Sequence, residues 1–164
     1  MKTQPLLFLD FDGVLHPGSG RPGAMFNRAE SLMEAIEGFE LRIVISSSWR
    51  FHYPAAKIFK DLPDALARRI VGTTGEAHIG RWARYQEVRN WLMLNEPSAL
   101  TNSPARWRAL DDASFEFPPD CPELIACNPR EGFGPRQAAE LQSWLSTISA
   151  TGSHITASGR IAPQ

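Results

Sequence analysis

The feature that most constrains this chain is the run Leu6-Leu7-Phe8-Leu9, which holds no polar residue and stops at Asp10-Phe11-Asp12-Gly13. A strand with one wet face alternates polar and apolar side chains. An unbroken apolar run is instead expected of a strand covered on both faces, as in the middle of a parallel sheet. The run is too short for the apolar segment of a signal peptide and far too short to span a membrane. Carboxylates that follow such a strand belong at the rim of the sheet, where water or a ligand can meet them.

Strand and helix signals alternate down the rest of the chain. Asn27 and Glu30 have the spacing of a capping box ahead of a helix bearing Leu32, Met33 and Ile36, which Gly38 ends. Leu41 to Ile45 reads as a second strand running into Ser46-Ser47-Ser48-Trp49-Arg50. Pro54 and Pro63 each stand where a helix can begin, Asp64–Arg69 reads as helix, and Ile70-Val71 as a short third strand. Residues 17–23 and 72–80 read as loops. Arg84 to Leu94 has helical spacing, Trp107–Leu110 is a strand ending in Asp111-Asp112, and Leu124–Ala126 is another. A last helix opens at Gly134-Pro135 and carries Ala138, Leu141, Leu145 and Ile148 at core spacing.

Alternation of this kind predicts an α/β fold, a three-layer Rossmann-like parallel sheet with helices on both faces. At 164 residues the chain suits one domain, expected over residues 1–150, with residues 151–164 as a flexible tail. A net charge of −1 gives no general attraction to nucleic acid or an anionic membrane, although the cations are mostly arginine. Two cysteines, Cys121 and Cys127, are too few for a disulfide scaffold and suit a cytoplasmic protein with reduced thiols.

In an open parallel sheet, ligands bind beyond the carboxyl ends of the strands. Three predicted strands here end in oxygen-bearing groups: Asp10 and Asp12, Ser46 and Ser47, and Asp111 and Asp112. Carboxylates gathered at one rim repel one another unless a cation joins them, and an all-oxygen donor set suits Mg2+.

These residues resemble a family. Asp10-Phe11-Asp12-Gly13-Val14-Leu15 is similar to the first motif of the haloacid-dehalogenase-like (HAD) phosphohydrolases, and Ile43 to Arg50 to the second. Arg84, opening Arg84-Tyr85-Gln86-Glu87-Val88, fits the basic third motif, and Leu110-Asp111-Asp112 the acidic fourth. The motifs occur in family order, and the resemblance covers roughly residues 5–148. Ser-Ser-Ser-Trp-Arg, the paired aspartates and Glu131-Gly132-Phe133-Gly134 look most like the small capless HAD domains of bacterial RNA-repair proteins.

The resemblance implies a Mg2+-dependent phosphomonoester hydrolase in which Asp10 takes the phosphoryl group and Asp12 serves as acid and base. Mg2+ would be held by Asp10, the main-chain carbonyl of Asp12 and Asp112, with Asp111 orienting; the reverse order of Asp111 and Asp112 stays open. Ser47 would bind a phosphoryl oxygen, with Ser46 as the alternative, and Arg84 would neutralise its charge, with Arg81 as the alternative. Gly13, Ser46, Trp49 and Arg50 are expected on the substrate side, although packing in the core is the competing role of Trp49. His16 and His52 are expected to be exposed loop residues outside the catalytic set. The intervals Gly13–Ser46 and Arg50–Arg84 are too short for a full cap domain. An open rim favours a large phosphorylated substrate such as a nucleic-acid end, with no membrane and no obligate protein partner. A non-enzymatic receiver-like Mg2+/phosphate module, or a domain active only inside a larger RNA-repair assembly, are the alternative readings.

Overall fold

The computed structural model describes residues 3–18 and 25–153. Among the described residues, five strands form one sheet: β1 (Leu6–Leu9), β2 (Arg42–Ile45), β3 (Ile70–Thr73), β4 (Trp107–Asp111) and β5 (Leu124–Ala126). Their order is β3-β2-β1-β4-β5, and every neighbouring pair is parallel. The α/β architecture expected from the alternating pattern is therefore the one observed. The apolar run Leu6–Leu9 forms the central strand, with all four residues buried.

Helices cover both faces: α1 (Ala29–Ile36), α2 (Trp49–His52), α3 (Ala55–Asp61), α4 (Asp64–Ala67), α5 (Ala83–Asn95) and α6 (Pro135–Ser153). Successive side chains of a strand point to opposite faces, and the core divides accordingly. Leu7, Leu9, Ile43, Ile45 and Leu110 join Leu32 and Ile36 of α1 and Leu141 and Leu145 of α6. Leu6, Phe8, Val44 and Ala109 join Val88 and Leu92 of α5. Each large apolar side chain fully buried this way contributes roughly 1.5–3 kcal/mol, so both layers are fastened chiefly by burial.

The chain moves outward from β1 through β2 to β3, then returns to the other side of β1 for β4 and β5. The reversal falls between β1 and β4, and this kind of switch point leaves a crevice at the carboxyl ends.

Several local expectations change. The capping box does not form: α1 begins at Ala29, preceded by Arg28 with no side-chain cap. Tertiary bonds set the entry instead, with Arg28 N donating to Leu15 O at 2.8 Å and Arg28 Nε to Glu131 O at 3.1 Å. Gly72 lies inside β3 rather than in a loop, in the space beside the Trp91 ring of α5. Pro54 and Pro63 do mark helix starts, as expected, standing at the caps of α3 and α4. Most of the loop expected over residues 17–23 lies outside the described residues. Helix α6 continues through Ser153, three residues into the stretch expected as a tail, and residues 154–164 lie outside the description. No helix among the described residues is long and apolar enough to cross a membrane.

Candidate active site

Register brings the first group of residues together. Leu9 of β1 pairs with Ile45 of β2 on one side and Leu110 of β4 on the other. One step further, Asp10, Ser46 and Asp111 stand level. Asp10 N donates to Leu110 O at 3.1 Å and Ser46 N to Leu9 O at 2.9 Å, extending the ladders to that level. Alternation puts these three side chains on the face of Phe8, Val44 and Ala109, which is the face covered by α5. Ser47, one residue on, belongs to the opposite parity. Its buried hydroxyl accepts the Trp49 N–H at 3.3 Å.

Asp112 completes the acidic group, and one carboxylate oxygen from each of Asp10, Asp111 and Asp112 lies within 4.8 Å of the others. Gly13 makes room for it. A Cβ built at Gly13 would collide with the Asp112 carboxylate, and the residue takes φ +74°, a left-handed conformation that suits glycine. Gly13 thus contributes space where the first and fourth motifs meet. The Asp12 carboxylate lies outside the acidic group, with one oxygen 2.7 Å from His16 Nε2 and the other accepting Trp49 Nε1–H at 3.1 Å.

Arg84 enters from the first turn of α5. A cation there opposes the helix dipole, and this helix has no acidic residue in its first turn to offset it. The offset comes from the sheet. Arg84 Nη1 lies 3.6 Å from Asp10, and Nε lies 3.7 Å from both Asp111 and Glu116. None of these is a hydrogen bond. Arg81 is exposed and stacks on Trp82, its guanidinium carbon 5.0 Å from the ring centre.

Arg50 has a different setting. Its Nη2 donates to Glu87 at 2.7 Å, Nε to Gly75 O at 2.9 Å and Nη1 to Ser47 O at 2.9 Å. Glu87 in turn accepts the His78 N–H at 3.1 Å. The guanidinium that follows the serine run is therefore occupied by protein groups, tying α2 to α5. Trp49 is half-buried, packing edge-on to Phe11 and tilted against Tyr53.

The electrostatics are those of crowded carboxylates. Burial pushes Asp10 up to about 8, the Asp111 charge adds to the rise, and Arg84 pulls the other way. Burial likewise raises Asp111 to about 6 against the pull of Arg84. Asp112 is raised as well, first by burial. Burial works against the charge of Arg84, but Asp111 and Asp10 outweigh it and raise its pKa. Among the described residues, Ser46 Oγ, Arg84 Nη1 and Asp111 Oδ2 are buried without a hydrogen-bond partner. An orphaned buried polar group costs about 1–3 kcal/mol, and at least two of these three face the same acidic group. Hard oxygen donors and the mutual repulsion of three gathered carboxylates fit a divalent cation such as Mg2+.

Three partners carry no obvious mark in the sequence. Glu116 lies in a short 3-10 turn after β4, with no periodic signal to link it to Arg84. Glu87 follows Arg84 by three residues, a helical spacing that hints at a shared face. His16, expected to be exposed, is buried at 6% accessibility, whereas His52 is exposed in α2. The loop holding His16 folds back on itself, with Gly13 N donating to His16 O at 2.8 Å. A cavity of about 430 Å³ lined by residues including Arg28, Asn128, Arg136 and Gln137 lies off the acidic group, and none of Asp10, Ser46, Arg84, Asp111 and Asp112 lines it.

A parallel α/β sheet whose central strand ends in Asp-x-Asp-Gly, beside an acidic fourth strand and a basic helix start, has the organisation of a HAD-like domain. The chain belongs to the family described as the HAD domain in Swiss Army Knife RNA repair proteins, whose model matches residues 6–138. No curated protein and no solved structure matches the chain. Membership points to phosphohydrolase-type chemistry, with which the acidic group Asp10, Asp111 and Asp112 is compatible. It also makes a nucleic-acid-related substrate consistent with the domain's setting.

Proposed function

We propose that this domain is a Mg2+-dependent phosphomonoesterase that works through an aspartyl-phosphate at Asp10 and acts on a polynucleotide end. The observation that carries the reading is the level group Asp10, Ser46 and Asp111, facing an arginine whose Nη1 has no hydrogen-bond acceptor among the described residues.

A phosphate monoester placed there would put its oxygens where Arg84 Nη1 lacks a partner. Parity favours Ser46, rather than Ser47, as the hydroxyl beside the phosphoryl group, because Ser46 shares the face of Asp10 and its Oγ is unpartnered. An Asp10 oxygen attacks phosphorus in line with the leaving oxygen, forming the P–O bond as the ester P–O bond breaks. Asp12 gives its proton to the leaving oxygen. It then takes a proton from the water that attacks the phosphoryl group, which returns Asp10 as a carboxylate and releases inorganic phosphate. Bound Mg2+, held by Asp10, the main-chain carbonyl of Asp12 and Asp112, would neutralise charge on the phosphoryl oxygens. Asp111 serves best as the orienting partner, since one of its oxygens accepts Ala113 N–H at 2.9 Å and the other lies by Arg84.

Access supports a large substrate. The only described helix between Gly13 and Ser46 is α1, and between Arg50 and Arg84 the described elements beyond α2 are α3, α4 and β3, none of them long enough to be a cap domain. The test is phosphate release from p-nitrophenyl phosphate and from 3′- and 5′-phosphorylated oligonucleotides. Release should need Mg2+, favour one oligonucleotide end, and fall at least about 10³-fold in Asp10→Asn. A folded protein that releases no phosphate from any of them contradicts the proposal.

A further inference from the structure

The reaction proposed above asks Asp12 to give up a proton and take one back, so its carboxylate has to hold one orientation. Its position works against that. Asp12 lies beyond the end of β1, and its side chain is 52% exposed. A short side chain on a solvated loop keeps its χ rotation free unless hydrogen-bond donors held by packing fix it.

Two donors, His16 from the far side of the same loop and Trp49 from the start of α2, supply the constraint. His16 Nε2 lies 2.7 Å from Asp12 Oδ1, and Trp49 Nε1–H donates to Asp12 Oδ2 at 3.1 Å. Each carboxylate oxygen has one protein donor and a lone pair left over. The direction of the histidine contact follows from the far side of the ring. Phe26 N–H points at His16 Nδ1 at 3.3 Å, so Nδ1 accepts and the proton of the neutral ring sits on Nε2, aimed at Asp12.

Neither donor is loose. The His16 ring lies 5.4 Å from Phe26 and 5.8 Å from Trp49, and the Trp49 ring lies 5.5 Å from Phe11 and 5.3 Å from Phe26. The backbone of Trp49 is fixed in turn by Ser47 Oγ, which accepts its N–H. The first motif supplies the carboxylate, and the serine run sets the indole that holds it.

We propose that His16 and Trp49 are positioning residues that clamp the Asp12 carboxylate for proton transfer. The proposal rests on the reading of Asp12 as acid and base. It makes the Trp49 ring more than core packing, because only its N–H, not its area, meets Asp12.

The experiment compares kcat/KM for phenyl phosphate and p-nitrophenyl phosphate, since this ratio reports the steps up to loss of the phenol. Phenoxide leaves poorly without a proton, whereas nitrophenoxide leaves readily. Trp49→Phe keeps an aromatic ring and removes the N–H; His16→Leu removes the other donor; His16→Gln puts an amide N–H near the place of Nε2–H. Trp49→Phe and His16→Leu should each lower the phenyl phosphate value about 10- to 100-fold and the p-nitrophenyl value by less than about 3-fold, with His16→Gln recovering most of the loss. A merely structural role predicts equal losses on both substrates and no recovery in His16→Gln, and that pattern overturns the clamp while leaving the phosphatase reading intact. Wild-type protein inactive on both substrates removes the phosphatase reading and the clamp with it. Independently of activity, the ¹⁵N spectrum of His16 should show the proton on Nε2, and the Trp49 indole N–H resonance should move in Asp12→Ala. An Nδ1–H tautomer, or an indole signal indifferent to Asp12, overturns the clamp as well.

Discussion

Two largely enclosed arginines share a neighbour in Glu87 and have opposite surroundings. Arg50 has a side chain 5% exposed and makes three hydrogen bonds of 2.7–2.9 Å, to Glu87, Gly75 and Ser47. Arg84, one turn before Glu87 on α5, approaches three carboxylates no closer than 3.6 Å and leaves Nη1 without a hydrogen-bond partner among the described residues. A buried guanidinium with all three nitrogens hydrogen-bonded to protein groups is a strut. One that is charged, enclosed and unsatisfied keeps its donors available to an anion from outside. The same residue type thus builds the frame in one place and, in the proposed reaction, would meet the phosphoryl group in the other.

The largest effect should come from breaking the strut. Arg50→Met leaves Glu87 buried without its partner and should lower stability by about 3–5 kcal/mol in chemical denaturation, as for other broken buried ion pairs. Replacing both partners, Arg50→Met with Glu87→Leu, should recover most of that loss. If the single replacement is neutral, Arg50 is not a structural residue and the contrast fails.

Arg84→Met should do the reverse. Its kcat/KM should fall about 10²–10³-fold, comparable to removing one preorganised charge-stabilising donor, while the denaturation midpoint in Mg2+ stays close to wild type. A midpoint that drops as far as in Arg50→Met would make the two arginines equivalent.

The carboxylates around Arg84 give a third test. Asp10 and Asp111 have folded-state values raised to about 8 and about 6, above the ordinary 3.8 of the unfolded chain. For acids raised on folding, the folded state binds more protons, so the stabilisation is present at low pH and lost as pH rises through the folded values. In chelator, Tm should therefore fall as pH goes from about 5 to 9, by about 5 °C or more, and Mg2+ should reverse the fall at the alkaline end. A flat metal-free profile contradicts the crowding described for this rim. The smallest effect should belong to Arg81→Ala, which removes an exposed cation stacked on Trp82 and should change kcat/KM on p-nitrophenyl phosphate by less than about 2-fold.

Much of this architecture was legible from short-range signals. Leu6–Leu9 announced a central strand because only burial on both faces tolerates four apolar residues in a row, and the strand-end rule placed Asp10 and Asp111 at one rim. The choice between Ser46 and Ser47 needed the register of β2 against β1, which no local pattern contains. A shift of one residue exchanges the two faces of the sheet. Arg50 was misleading for a related reason. An arginine after a serine run suggests a phosphate ligand, and only the packing of α5 against α2 reveals Glu87 waiting for it. The capping box at Asn27 failed because loop-to-loop hydrogen bonds at Arg28 set the helix start more strongly than local sequence did. His16 escaped notice because its partner is four residues back across a tight loop rather than on a helix or strand.

The account turns on covalent chemistry at one carboxylate. Protein mixed with Mg2+ and a phosphorylated substrate, quenched rapidly and reduced with borohydride, should carry homoserine at position 10 when its peptides are sequenced by mass spectrometry. The conversion should need both metal and substrate. Phosphate release with Asp10 unmodified, or homoserine at position 12 or 112 instead, would contradict the account.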